Sequence, residues 1–301
     1  MLLALLGAVM RGLDRVALAI VPAEIVQPAL LLGLLVLIQP ESAQTAFMPL
    51  AAAFVLSTLV AIGLTILAWP DEAASASSQP LARGYLVRAG LPFAMIGVLS
   101  LINLRIDLLV LSGFASAHEV GLYGLAAQLA MIAQLPMAIA NGVISAQVAV
   151  LHQRGDSAAL AAMMEQVTGL LALVGLAGFA VFWLAGRWLI TFAFGAEFTD
   201  AYPFVLILLA VQLLHLASGP LSAFLNLTGH ERITLGGVTL AAAVAVVFSF
   251  ALIPQFGGIG AALASFLSTA SVNLYLAWNF WRSLGIAPGL AALIFKRPRP
   301  R

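Results

Sequence analysis

Long apolar runs separated by short polar segments dominate the chain. Three of these runs, which begin at Thr45, Ile233 and Gly258, contain no charged residue. Because about 20 apolar residues cross a hydrocarbon layer near 30 Å thick, each run predicts a transmembrane helix. The whole pattern predicts eight spans: Val16–Ile38, Thr45–Trp69, Ala89–Ala117, Val120–Leu151, Gln166–Gly186, Ala201–Leu227, Ile233–Ile253 and Gly258–Trp281.

The first predicted span is the least regular, because it contains Pro22, Glu24 and Pro28. These residues favour an interfacial amphipathic piece up to Glu24, followed by a shorter span that begins at Ile25. If Glu24 is embedded in the membrane, it is a candidate site for coupling transport to protons. An interfacial helix would leave the same carboxyl hydrated, without a role.

Composition agrees with a membrane protein. Of 301 residues 63% are hydrophobic and 8% are charged, against about a quarter charged in an ordinary soluble domain. The net charge of +1 gives no general attraction to nucleic acid. The absence of cysteine excludes disulfides, thiolate nucleophiles and metal sites with cysteine ligands.

Positive charges predict the topology. If the connections between the eight spans are assigned alternately to two sides, eleven of the 13 Lys and Arg residues lie on one side. Arg187 lies on the other side and Arg105 lies within a span. The positive-inside rule therefore places both termini in the cytoplasm. The same rule places the segment 70–82 in the cytoplasm. This segment is rich in small and polar residues and is bounded by proline, like a flexible linker.

Arg105 and Asp107 are a basic and an acidic residue placed well inside one predicted span. An ionised group there costs about 2.5 to 3.5 kcal/mol on insertion scales unless it is paired or hydrated. Two residues on a helix are separated by about 200°, so the two side chains do not face each other, whereas Asp107 shares a face with Asn103. Arg105 either snorkels to the outer interface or forms a structural pair, or the two residues bind a negative headgroup or couple protons.

The predicted span Val120–Leu151 carries Gln134, Asn141 and Ser145 at separations of seven and four residues, which places them on one helical face. This face either lines a cavity or holds helices together. Pro136 in the same span permits a kink. His215 has no second ligand at i+3 or i+4, so we expect a core histidine and no metal site.

Four blocks between residues 82 and 281 are distinctive: Arg105-Ile-Asp107-Leu-Leu-Val-Leu-Ser-Gly113 with Glu119-Val-Gly121-Leu-Tyr123-Gly-Leu-Ala-Ala127, Gly195-Ala-Glu197-Phe-Thr-Asp200-Ala201, Leu225-Asn226-Leu-Thr-Gly229-His-Glu231-Arg, and Pro254-Gln-Phe256-Gly257-Gly-Ile-Gly260-Ala261-Ala262-Leu-Ala264. They resemble segments of Wzx-type oligosaccharide flippases, in the order and at the separations typical of that family.

This resemblance implies membership of the multidrug, oligosaccharidyl-lipid and polysaccharide (MOP) exporter superfamily, whose members have two six-helix lobes around a central cavity. It implies an all-α integral membrane protein with the last two helices of an N-terminal lobe in residues 1–69. The segment 70–82 would be a cytoplasmic interlobe linker, 83–281 a complete C-terminal six-helix lobe, and 282–301 a basic cytoplasmic tail. We therefore expect an N-terminally incomplete protein that does not transport by itself.

The implied function is translocation of a polyprenyl-diphosphate-linked oligosaccharide across the bacterial inner membrane, for lipopolysaccharide or another surface polysaccharide. The alternatives are a multidrug exporter of the same superfamily, a truncated product without transport activity and, less favoured, a polysaccharide polymerase or ligase. We expect no catalytic residue, metal or cofactor. The implied partners are the lipid-linked oligosaccharide, membrane lipids and other polysaccharide-assembly proteins, and no nucleic acid.

Overall fold

The computed structural model describes residues 21–39, 43–68 and 83–286, together with positions 6, 10 and 18. Every regular element within these residues is helical, and a π-helical turn, Pro22–Val26, and a 3-10 helix, Ala196–Ala201, supplement the α-helices. The α-helices are α1 (Gln27–Ile38), α2 (Ala43–Leu67), α3 (Arg83–Phe114), α4 (Ala117–Ile132), α5 (Leu135–Gln153), α6 (Ser157–Phe194), α7 (Tyr202–Ser218), α8 (Leu221–Leu227) and α9 (Glu231–Leu284).

The prediction of an all-α membrane protein is confirmed in that the described elements are helical and several are long and apolar. Within the described ranges, six helical segments are long and apolar enough to cross a membrane. The count of eight spans stays a prediction. Helix α1 has 12 residues and a length of about 18 Å, which is less than the hydrocarbon thickness. The predicted linker 70–82 and residues 287–301 of the predicted tail lie outside the described residues.

Helix α9 is a hairpin of two antiparallel arms, residues 231–256 and 258–284. A straight helix of 54 residues would extend about 81 Å, more than twice the hydrocarbon thickness. The backbone leaves the helical conformation at Gly257, where φ is 54°. Across the arms, Ser268 Oγ lies 2.9 Å from the carbonyl oxygen of Ala241. The two spans predicted on either side of Gly257 are therefore separate arms that pack against each other.

The turn of this hairpin rests on the beginning of α4. Ser116 caps α4 by accepting a hydrogen bond from the Glu119 backbone N–H at 3.2 Å. The Glu119 carboxylate in turn accepts one from the Gly258 N–H at 2.6 Å. The helix dipole favours a negative charge next to the N-terminus of the second arm, where the Glu119 carboxylate lies. The contact therefore fixes the second arm against α4.

Two compact units divide the chain, Met1–Leu81 and Ala82–Arg301. In the first unit α1 packs against α2. In the second unit α7 is central, because it contacts α4, α6 and α9. Helix α7 is apolar on nearly every face, as expected for a helix with neighbours on several sides. Its buried residues are Phe204, Val205, Leu208, Leu209, Val211 and Leu216.

The predicted span Val120–Leu151 is two helices. Helix α4 ends at Ile132 and α5 begins at Leu135, so the backbone turns at Gln134. Pro136 explains the break, because proline has no N–H to bond to the carbonyl four residues earlier and its ring disfavours the helical conformation before it. The prediction of one span with a kink at Pro136 agrees with this arrangement, because residues 117–153 form one candidate span that is interrupted only at positions 133 and 134.

Candidate functional site

A cavity of about 470 Å³, called the polar cavity below, lies in the second unit, and polar residues make up half of its lining residues. Helices α3, α4, α7 and both arms of α9 contribute to its wall, with Gln134 from the α4–α5 break and Ser222 from α8. On the second arm the lining residues recur at helical spacing from Ser265 to Leu276, so the cavity extends about 16 Å along that arm. The polar lining consists of Ser100, Asn103, Arg105, Asp107, Gln128, Gln134, Gln212, His215, Ser222, Ser265, Ser268, Thr269 and Asn273.

Asp107 connects three helices at one end of the cavity. Its Oδ2 atom accepts hydrogen bonds from the Tyr123 hydroxyl of α4 at 2.5 Å and from the Ser265 hydroxyl of the second arm at 2.9 Å. Tyr123 is completely buried, and its ring packs edge-on against Phe204 of α7 at a centroid distance of 6.0 Å. Two hydroxyl donors compensate for the removal of this half-buried carboxyl group from water.

Asn103 forms a second polar contact, one helical turn from Asp107. Its Oδ1 atom lies 3.0 Å from Ser268 Oγ, which also lies 2.9 Å from the Ala241 carbonyl oxygen. The serine hydroxyl has one proton, so it donates to one of these acceptors at a time. Asn103 and Asp107 therefore share a helical face, as their spacing predicts, and this face packs on the second arm of α9.

Arg105 also lies on the cavity wall, and its side chain is exposed. It forms no ion pair or hydrogen bond with another residue in the described part of the chain. Arg105 and Asp107 therefore do not pair, in agreement with their separation along the helix. The carboxylate is engaged by hydroxyl groups, whereas the guanidinium group keeps its five N–H donors.

The remaining candidates occupy different places. Gln134 is exposed at the α4–α5 break and lines the cavity. Asn141 and Ser145 lie on α5 outside the lining, where the Ser145 hydroxyl donates to the Asn141 carbonyl oxygen. Glu24 belongs to the π-helical turn Pro22–Val26, and its side chain is outside the described part of the structure. The sequence-predicted stripe is therefore divided by the helix break.

Several residues that line the cavity or contact its lining were not predicted to belong to a site. Tyr123 and Ser265 bind Asp107, and His215 and Asn273 line the opposite end of the cavity. The residues of the second arm could have been found, because Ser265, Ser268, Thr269 and Asn273 follow the i, i+3, i+4, i+8 spacing of one helical face. They were missed because their span has no charged residue and because serine and threonine are common in packed membrane helices.

A smaller cavity of about 210 Å³ lies beside the first. It is lined mainly by apolar residues of α4, α6 and α7, with Pro136 at its border. Gln212 of α7 lines both cavities. The second unit therefore has a polar and an apolar compartment on the two sides of one glutamine.

No family model matches the chain, and neither a curated protein nor a solved structure matches it.

Proposed function

We propose that the chain takes part in moving a polyprenyl-diphosphate-linked oligosaccharide across the bacterial inner membrane. The observation that carries the proposal is the polar cavity of about 470 Å³ within a bundle of apolar helices. Polar groups inside a membrane are costly, and they commonly mark substrate pathways. A cavity lined by amides and hydroxyls suits the hydroxyl groups of a sugar.

The sugar and the lipid of such a substrate require two different environments. In the proposed mechanism the sugar occupies the polar cavity, while the polyprenyl chain stays in the bilayer. Access then alternates between the two membrane faces through a rocking motion of transmembrane lobes. This process makes and breaks no covalent bond, so the proposed activity is transport and not catalysis.

The charges of the cavity favour a negatively charged headgroup over a cationic drug. The Asp107 carboxyl accepts bonds from Tyr123 and Ser265, whereas Arg105 is exposed and has no partner within the described residues. A guanidinium group binds phosphate oxygens in two parallel hydrogen bonds. This argument supports the flippase over the drug exporter.

A deletion strain tests the proposal. We expect cells without the gene to lose surface polysaccharide and to accumulate its lipid-linked precursor, with unchanged sensitivity to drugs. Drug sensitivity with normal polysaccharide would favour the exporter instead. No change in either property would favour a product without transport activity.

Variants at the native locus test whether the function lies in the cavity. Introduced at the native locus, Arg105→Ala at equal membrane abundance should reproduce the loss of surface polysaccharide that the deletion causes. A matched control is Arg187→Ala, because Arg187 lies near the end of α6 outside the cavity lining, with its guanidinium 5.2 Å from the Tyr202 ring centroid. Normal surface polysaccharide with both variants would contradict the role of Arg105.

A further inference from the structure

The cavity has an end that is remote from its charged residues. Asn273 lies eight residues after Ser265 on the second arm, a distance of about 12 Å along the helix. Asn273 is 6% exposed, and its side-chain nitrogen has no hydrogen-bond partner among the described residues. The imidazole of His215 is adjacent to it, and Gln212 and Ser222 line the same cavity.

A buried amide nitrogen without an acceptor is unusual, because burial removes the hydrogen bonds that water would provide. Other amides of the same hairpin satisfy themselves on the helix backbone. Gln255 donates to the Ala251 carbonyl at 3.0 Å, and Asn279 donates to the Tyr275 carbonyl at 2.8 Å. Asn273 has no such bond, although the carbonyl four residues earlier is equally close along the chain. Its buried amide nitrogen therefore remains without an acceptor, in a residue that lines the cavity.

We propose that Gln212, His215, Ser222 and Asn273 form a neutral subsite that binds a hydroxyl or acetamido group of a sugar. The subsite deepens the proposed function and rests on it. A sugar hydroxyl both donates and accepts hydrogen bonds, and an amide side chain does the same. None of the four side chains is a carboxylate, lysine or arginine, so the subsite selects a neutral polar group rather than a phosphate.

The position of the subsite orders the ligand along the cavity. Arg105 and Asp107 lie toward the hairpin turn, and the subsite lies toward the other end of the second arm. A headgroup that places its charged part near Arg105 therefore brings a sugar to Asn273. The subsite distinguishes a glycosylated carrier lipid from the carrier lipid alone.

The test measures binding of two lipids to the full chain in detergent micelles by native mass spectrometry. The probes are undecaprenyl diphosphate that carries one N-acetylglucosamine and undecaprenyl diphosphate without sugar. The wild-type chain should bind the glycosylated lipid more tightly. Asn273→Leu, which keeps the size of the side chain, should reduce this preference about two- to tenfold, the equivalent of one hydrogen bond.

Asn279→Leu is the matched control, because Asn279 lies on the same arm but outside the cavity lining and bonds to its own helix. Gln212→Leu, on a different helix, replaces Asn273→Leu if that variant does not fold. An unchanged preference in Asn273→Leu, or an equal loss in Asn279→Leu, overturns the subsite. Equal binding of both lipids by the wild-type chain overturns the subsite alone, whereas binding of neither also contradicts the proposed function.

Discussion

Removal of one hydroxyl group tests whether the Asp107 contact holds three helices together. Tyr123→Phe keeps the ring that packs on Phe204 and deletes the donor at 2.5 Å from Asp107 Oδ2. Side-chain hydrogen bonds between membrane helices average about 0.6 kcal/mol and reach about 1.7 kcal/mol. Here the donor is completely buried and the acceptor is a carboxyl group, so the contact should lie near the upper end.

We therefore expect Tyr123→Phe to lower the free energy of unfolding by about 1.5 kcal/mol. The remaining bond from Ser265 at 2.9 Å limits the loss. Unfolding is followed by circular dichroism during titration with sodium dodecyl sulfate in mixed micelles. Tyr202→Phe is the control, because its hydroxyl donates to the Trp183 carbonyl at 2.9 Å on the exposed surface, which predicts a loss of about 0.6 kcal/mol.

A double-mutant cycle with Ser265→Ala completes this test. The two hydroxyls donate to the same oxygen of Asp107. Removal of the second hydroxyl should therefore lower the free energy of unfolding by more than removal of the first, and the two losses should not be additive. A loss below about 0.5 kcal/mol in Tyr123→Phe, or the same loss in Tyr202→Phe, would refute the assignment of Asp107 as a structural contact between helices.

Three further perturbations test other parts of the structure. Gly257→Ala should lower the free energy of unfolding by more than Gly155→Ala, measured in the same mixed micelles. Both glycines have positive φ, but a Cβ at position 257 would collide with Glu119 Oε1, whereas position 155 is open. Asp107→Asn in place of the native residue, at equal membrane abundance, should reduce polysaccharide export, and normal export would make this residue an anchor only. Single cysteines at Ala117 and Gln255 should react with an impermeant thiol reagent in intact cells, whereas labelling in the linker or tail and silence at both positions would invert the topology.

Hydropathy predicted where the long apolar helices lie, but not their ends or their interruptions. The uncharged runs from Thr45, Ile233 and Gly258 correspond to α2 and the two arms of α9. Helix α6 is longer than the predicted 166–186, because Asp156 caps it by accepting a bond from the Ala159 N–H at 2.9 Å. Hydropathy measures the apolar part of a helix, whereas capping and hydrogen bonding determine where it begins and ends.

The candidate site was predicted in part, from the charged residues Arg105 and Asp107 and from the amides Asn103 and Gln134, all of which line the cavity. Asp107 and Arg105 are conspicuous because charged residues are rare in apolar spans. The partner of Asp107 on the second arm, Ser265, is 158 residues away, so no local pattern connects the two. Asn273 was missed for a similar reason, because its significance depends on an absent backbone hydrogen bond and on a neighbour, His215, on another helix.

The most direct test of the account is whether the polar face of the second arm is wet and is covered by the lipid-linked sugar. The chain has no cysteine, so single cysteines can be placed at Thr269, which lines the cavity, and at Leu274, which is 72% exposed on another face of the same arm. A hydrophilic thiol reagent should modify position 269 and not position 274 in lipid vesicles. Undecaprenyl diphosphate with one N-acetylglucosamine should protect position 269. Equal reactivity at both positions, or no protection at 269, would contradict the account.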